Sequence, residues 1–166
     1  MGLTFIGEGT DRFTLSIVQY QFPDLDPQEA TYNDDCDWLD MRIQVTRGNQ
    51  MWEFIDPCLQ VGEYAYLANW IRAAATAEHE AQAVFLEGTF WIIKETLNNE
   101  PALVACFAEP HPRMYEIVSW PPWVDRSSIR DTDYRIACPM RLNDMNVIAD
   151  AIEEQLRLFP SRRRAV

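Results

Sequence analysis

Between residues 12 and 20, "RFTLSIVQY", Phe13, Leu15 and Ile17 alternate with Thr14, Ser16 and Val18. That is the period-two pattern of a strand with one buried face. Residues 3–8 share the strand character, and "GEGTD" between the two segments is a turn signal. The alternation returns at Leu39, Met41, Ile43 and Val45, set against Asp40, Arg42, Gln44 and Thr46. "RGNQ" at 47–50 predicts a hairpin turn with "MWEFI" as the returning strand, which Pro57 is expected to stop. From Leu59 to about Thr76 the period lengthens to that of a helix. Val61, Tyr64, Ala65, Ala68, Ile71 and Ala75 form one stripe, widened by Leu67 and Trp70. Further strands are predicted within 83–97 (broken at "EGT"), at 102–108, at 114–119 and at 133–138. Asn143 is placed to cap a closing helix over 144–159, with Ile148, Ile152, Phe159 and either Gln155 or Leu156 on one face.

Strands that neighbour one another in sequence imply an antiparallel sheet, and two helices must cover it. The expected class is α+β, mainly antiparallel sheet packed with helices at 59–76 and 144–159. Residues 1–160 form the expected single domain. The basic run "RRR" at 162–164 leaves 161–166 as a solvated tail, with contact to the acidic body as the alternative.

Composition narrows the function classes. A chain of 166 residues with 48% hydrophobic and 12% aromatic content can bury the core of one domain. No apolar run approaches the roughly 20 residues of a membrane span, and "MGLTFIGEGT" lacks the features of a secretory signal, so a cytoplasmic location is expected. The four cysteines stand 22, 48 and 32 residues apart, without the close pairs of a zinc site, and are expected as free thiols. Only two histidines are present, His79 and His111. The net charge of -12 repels phosphate backbones and anionic lipid, which disfavours nucleic acid and membrane as partners and favours basic ones.

Acid concentrates at 24–37, "DLDPQEATYNDDCD", in Asp24, Asp26, Glu29, Asp34, Asp35 and Asp37. Calcium takes several oxygen ligands from such loops, but the Gly-centred spacing of an EF-hand is missing. A basic partner and a merely wet loop are the other two readings. Read as exposed neighbours, Asp34, Asp35 and Asp37 repel one another, so reversing their charge to Lys is expected to change folding little, or to improve it slightly. Cys58, with His111 as base and Asp56 as orienter, is the one nucleophile set to weigh. "DPC" at a strand–helix junction is equally a turn Asp and a packed Cys. No catalytic residue, cofactor or metal is assigned. Trp52 and Trp70 are expected in the core, with Trp52 and Phe54 facing the first helix. Trp120 and Trp123 flank two prolines in "SWPPWVDRSS" and are interface candidates beside the acidic residues.

Five strings follow in one order: "IVQYQFPD" (17–24), "WLDMRIQV" (38–45), "MWEFIDPCL" (51–59), "YLANWI" (66–71) and "VFLEGTFWI" (84–92). A closing helix then runs into "LFPSR". Together they resemble the WapI family of bacterial immunity proteins over most of the chain. Two features depart from the family pattern: Gly88 stands where a proline after the Glu is expected, and the loop at 24–37 is long and unusually acidic. The resemblance implies a cytoplasmic antidote that binds the toxic C-terminal domain of a polymorphic toxin, often a nuclease. It carries no catalytic motif over to this chain.

Overall fold

The alternating segments at 12–20 and 39–46 become the centre of a four-stranded antiparallel sheet. Its strands are β1 (Leu3–Ile6), β2 (Arg12–Tyr20), β3 (Trp38–Arg47) and β4 (Gln50–Gln60), in spatial order β1-β2-β3-β4. These come from a computed structural model, which describes residues 3–6, 11–30, 32–76, 81–87, 90–97, 99–107, 134–139 and 142–163. Register stacks Phe5 on Phe13 on Val45, and Leu15 on Ile43 on Phe54, and all six are buried. The alternate row, Thr4, Thr14, Gln44 and Glu53, stays accessible. Trp52 pairs with Val45 in the backbone ladder, but its side chain lies outside the described residues, so its expected contact with the helix does too.

The expected stop at Pro57 is corrected. β4 runs through it to Gln60, and the register shifts between the Leu39–Leu59 and Met41–Asp56 pairs. The extra residue forms a bulge on a strand at the edge of the sheet, which is where a residue without an N–H is tolerated. Leu59 and Gln60 therefore belong to the strand, and the helix α1 spans Val61–Thr76. Glu63 reaches back to accept the Gln60 N–H at 2.9 Å, the return half of a capping box. Its other oxygen accepts the Leu86 N–H at 2.6 Å, tying the helix start to the turn after the next strand.

A second antiparallel sheet contains β5 (Ala81–Val84), β6 (Phe90–Leu97), β7 (Glu100–Phe107) and β8 (Tyr134–Pro139), again in sequence order. Ala102, Leu103, Val104, Ala105 and Cys106 are all buried, so β7 is covered on both faces and reads as an unbroken apolar run. The strand predicted at 114–119 lies outside the described residues. The closing helix, α2, spans Leu142–Leu158 and so starts two residues before the predicted boundary, which puts Asn143 inside its first turn.

The two sheets meet through aromatic rings. Phe13 and Phe90 lie 6.0 Å apart between centroids, with Phe5 at 5.4 Å from Phe13 and Phe85 at 4.9 Å from Phe90. The helices pack on each other and are joined at the surface by Arg72, which pairs with Asp150 at 2.5 Å and with Glu153. Inside, Gln155 donates to the Tyr64 hydroxyl at 3.1 Å and accepts the Ile17 N–H at 3.1 Å, beside the register shift in β2. Those partners explain why Gln155 is buried on this face while Leu156 is only partly covered. Burial pushes the Tyr64 hydroxyl well above its ordinary range, against the opposing effect of the Gln155 hydrogen bond.

Candidate functional site

The acidic stretch lies in residues 21–37, the connection between β2 and β3, far longer than the usual ~4–6 residues of such links. Its two ends meet where the Gln21 N–H donates to the Trp38 carbonyl at 2.9 Å. Within it the backbone is folded into turns. The Leu25 N–H bonds to the Phe22 carbonyl at 3.2 Å, and the Asp26 carbonyl accepts the N–H groups of Glu29 (2.9 Å) and Ala30 (3.1 Å). The Asp26 carboxylate accepts the Gln28 N–H at 2.8 Å, an Asx turn that gives this acid a conformational task. Residues 33–37 close the loop as a short 3-10 turn.

The acids part company here. Asp24, Asp26 and Glu29 are exposed, and Asp35 is half-buried. The Asp34 side chain lies outside the described residues. Asp37 is 1% exposed. Its Oδ1 accepts the Arg162 N–H at 2.6 Å, its Oδ2 accepts the Ser161 hydroxyl at 2.7 Å, and Arg163 pairs with it at 3.1 Å. The expectation that charge reversal at Asp37 changes folding little or improves it slightly is therefore corrected, because a buried carboxylate held by three donors cannot be inverted without stranding them. The solvated tail is corrected with it. Residues 161–163 are docked on the body, and residues 164–166 lie outside the described residues.

The docked end grips the loop from several sides. Arg162 donates through one guanidinium N–H to the Phe22 carbonyl at 3.1 Å and through another to the Leu25 carbonyl. The same guanidinium sits 4.8 Å from the centre of the Tyr20 ring. Tyr20 in turn donates its hydroxyl to the Pro160 carbonyl at 2.5 Å and packs edge-on against Phe159 at 5.6 Å. Burial raises the Tyr20 pKa above 10.0, opposed by the Arg162 charge and supported by Asp37, so the hydroxyl keeps the proton it donates. Arg163 also donates to the Gln60 side chain at 2.5 Å, linking the clasp to the end of β4.

Above this base the loop bounds an open depression of about 510 Å³, lined by the apolar Phe22, Pro23 and Leu25 and the acidic Asp24, Glu29 and Asp35. Phe22 is 44% exposed and Tyr32 70% exposed, so two rings stand at the surface beside the acids. Neither was singled out from the sequence as a contact residue. "YQFPD" offered the signal for Phe22, since a Phe-Pro pair after a strand end has left the ladder. Trp120, Trp123 and His111 lie outside the described residues.

The other chemistries find less. Among the described residues, no group of three or more His, Cys, Asp or Glu is placed to hold a metal ion. Cys36, Cys58 and Cys106 are buried free thiols. Burial, and next the nearby charge of Asp56, pushes the Cys58 thiol far up, the reverse of what an activated nucleophile requires. Among the described residues, no helix is long and apolar enough to cross a membrane.

The sequence that builds this fold matches one known family over most of its length. The immunity protein WapI-like family matches the chain over residues 4–160. The chain belongs to this family. No curated protein and no solved structure matches it. Family membership gives it an immunity function, with a toxin as its binding partner. The matched span ends at the residue before the Ser161–Arg163 clasp, so those clasp contacts are described from this chain alone.

Proposed function

We propose that this protein is a cytoplasmic antidote that binds and neutralises the C-terminal toxin domain of a polymorphic toxin, a basic nuclease domain in particular. The observation that carries the proposal is the loop 21–37, where exposed Phe22 and Tyr32 stand beside Asp24, Asp26, Glu29 and Asp35 on a chain of net charge -12. A nuclease domain must present basic side chains to phosphate, and an acidic surface both covers them and accelerates the encounter. The aromatic rings supply the apolar anchors that charge alone lacks. Trp120 and Trp123 remain proposed contacts, as does Asp34. Asp37, buried and held by residues 161–163, contributes by holding the loop. No residue of this chain is assigned a catalytic role, and no cofactor or metal is needed.

The direct test is to look for a long toxin reading frame beside this chain's gene and to express its C-terminal domain. Co-expression should restore growth of cells producing that domain, and the two proteins should purify as one complex. A toxin domain that stays lethal and unbound in the presence of the folded protein retires the proposal.

A further inference from the structure

Arg162 follows the last helix, yet its side chain is spent on the backbone of a loop some 140 residues earlier. Its two donated bonds go to the carbonyls of Phe22 and Leu25, which bracket Pro23 and Asp24. The Leu25 N–H bonds to the Phe22 carbonyl as well, so the turn is closed from within by the backbone and from without by the guanidinium. The root of Arg162 is itself fixed, through its N–H on Asp37 at 2.6 Å and its charge over the Tyr20 ring. A planar fork suits two carbonyls at once, where a lysine offers a single point charge.

We propose that Arg162 is a positioning residue for the partner-binding loop: it holds the turn Phe22–Leu25 so that Phe22, Asp24 and Glu29 are presented ready-arranged to a basic partner. This rests on the function proposed above. A loop that is free before binding must lose its conformational entropy at the moment of contact, whereas one already clamped does not. Arg162 is not among the residues that line the depression, so the role assigned to it is to hold the loop rather than to touch the partner.

Hydrogen exchange on the full-length protein and on R162K and R162A tests this without any partner. Binding of the toxin C-terminal domain, with Asp24→Lys as a control, tests the consequence. In both Arg162 variants the amides of Leu25, Gln28, Glu29 and Ala30 should exchange roughly tenfold faster, while β3 and β4 keep their protection. Affinity for the toxin domain should fall roughly tenfold. Unchanged loop exchange in both variants overturns the inference. Loss of β3 protection in both overturns it too, since Arg162 is then a general structural residue. If the loop loosens and affinity holds while Asp24→Lys still weakens binding, the positioning role alone fails. If Asp24→Lys is also silent, the loop is not the interface, and the positioning role falls with that reading.

Discussion

The base and the rim of the loop 21–37 are built from the same residue type and do opposite things. At the base, Asp37 is buried and both of its oxygens are directed at Ser161, Arg162 and Arg163. At the rim, Asp24 and Glu29 stand in solvent next to Phe22. Burial makes the difference. A carboxylate removed from water must be given partners, and its worth then goes to stability. A carboxylate left in water contributes little to stability and keeps its field for whatever approaches. One acidic run therefore supplies both the anchor and the surface.

The largest effect that can break this comparison is at the base. Asp37→Ala leaves the Ser161 hydroxyl and the Arg162 N–H without their acceptor and should destabilise the fold by about 2–3 kcal/mol, read from urea or thermal unfolding. Ser161→Ala removes one donor and should cost less. If Asp37→Ala unfolds at the parent's midpoint, the clasp carries no stability and the two ends of the loop are alike.

How much of this was legible in the sequence depends on where the partners sit. Alternation at Phe13–Ile17 and Leu39–Val45 announced strands because one face of the first sheet is buried and the other is not. β7 lacks alternation because both faces are covered, and the strand expected at 102–108 still falls on it. Pro57 misled because the rule against proline in strands has an exception at edge bulges, and edges are invisible before the sheet is ordered. The acidic loop was legible as an outlier of composition. The clasp was not, because Asp37 meets Ser161 and Arg162 across more than 120 residues of chain. A local pattern cannot distinguish the buried Asp37 of "NDDCD" from its neighbours. Only "FPSRR" after a helix end, set against an acidic body, hinted that the tail had somewhere to bind.

A smaller effect sharpens the contrast at a third set of charges. Arg72 bridges α1 to Asp150 and Glu153 at the surface, and its hydrogen bond holds the Glu153 carboxyl below the usual 4.5. A carboxylate with a depressed folded pKa stabilises the fold above the unfolded value, and that contribution is lost as pH falls through the folded value. Glu153→Gln should therefore narrow the stability gap between variant and parent as pH drops below about 4.5, and added salt at neutral pH should narrow it as well. A gap that stays constant with pH would mean that the pair is not what the substitution disturbs.

The smallest effect on stability is expected at the rim, where the largest effect on binding should appear. Reversing Asp24 and Glu29 to Lys removes no buried partner, so unfolding should shift by no more than about 0.5 kcal/mol, toward greater stability if relief of repulsion dominates. Asp26 is left out of this variant because its carboxylate holds the Gln28 N–H, and Asp37 because it anchors the clasp. Against the toxin domain the association rate should fall by about tenfold at low salt, and the difference from the parent should shrink as ionic strength rises through the range where the Debye length drops below about 10 Å. The dissociation rate should move less, since at the proposed interface it would be set by the Phe22 and Tyr32 anchors and by groups buried in the complex. The calcium reading makes a different forecast: a calcium-dependent rise in melting temperature that the double reversal abolishes. The wet-loop reading forecasts no change in either measurement. An association rate equal to the parent's at low salt would take the rim out of the interface, leave the clasp as a purely structural device, and move the search to Trp120 and Trp123.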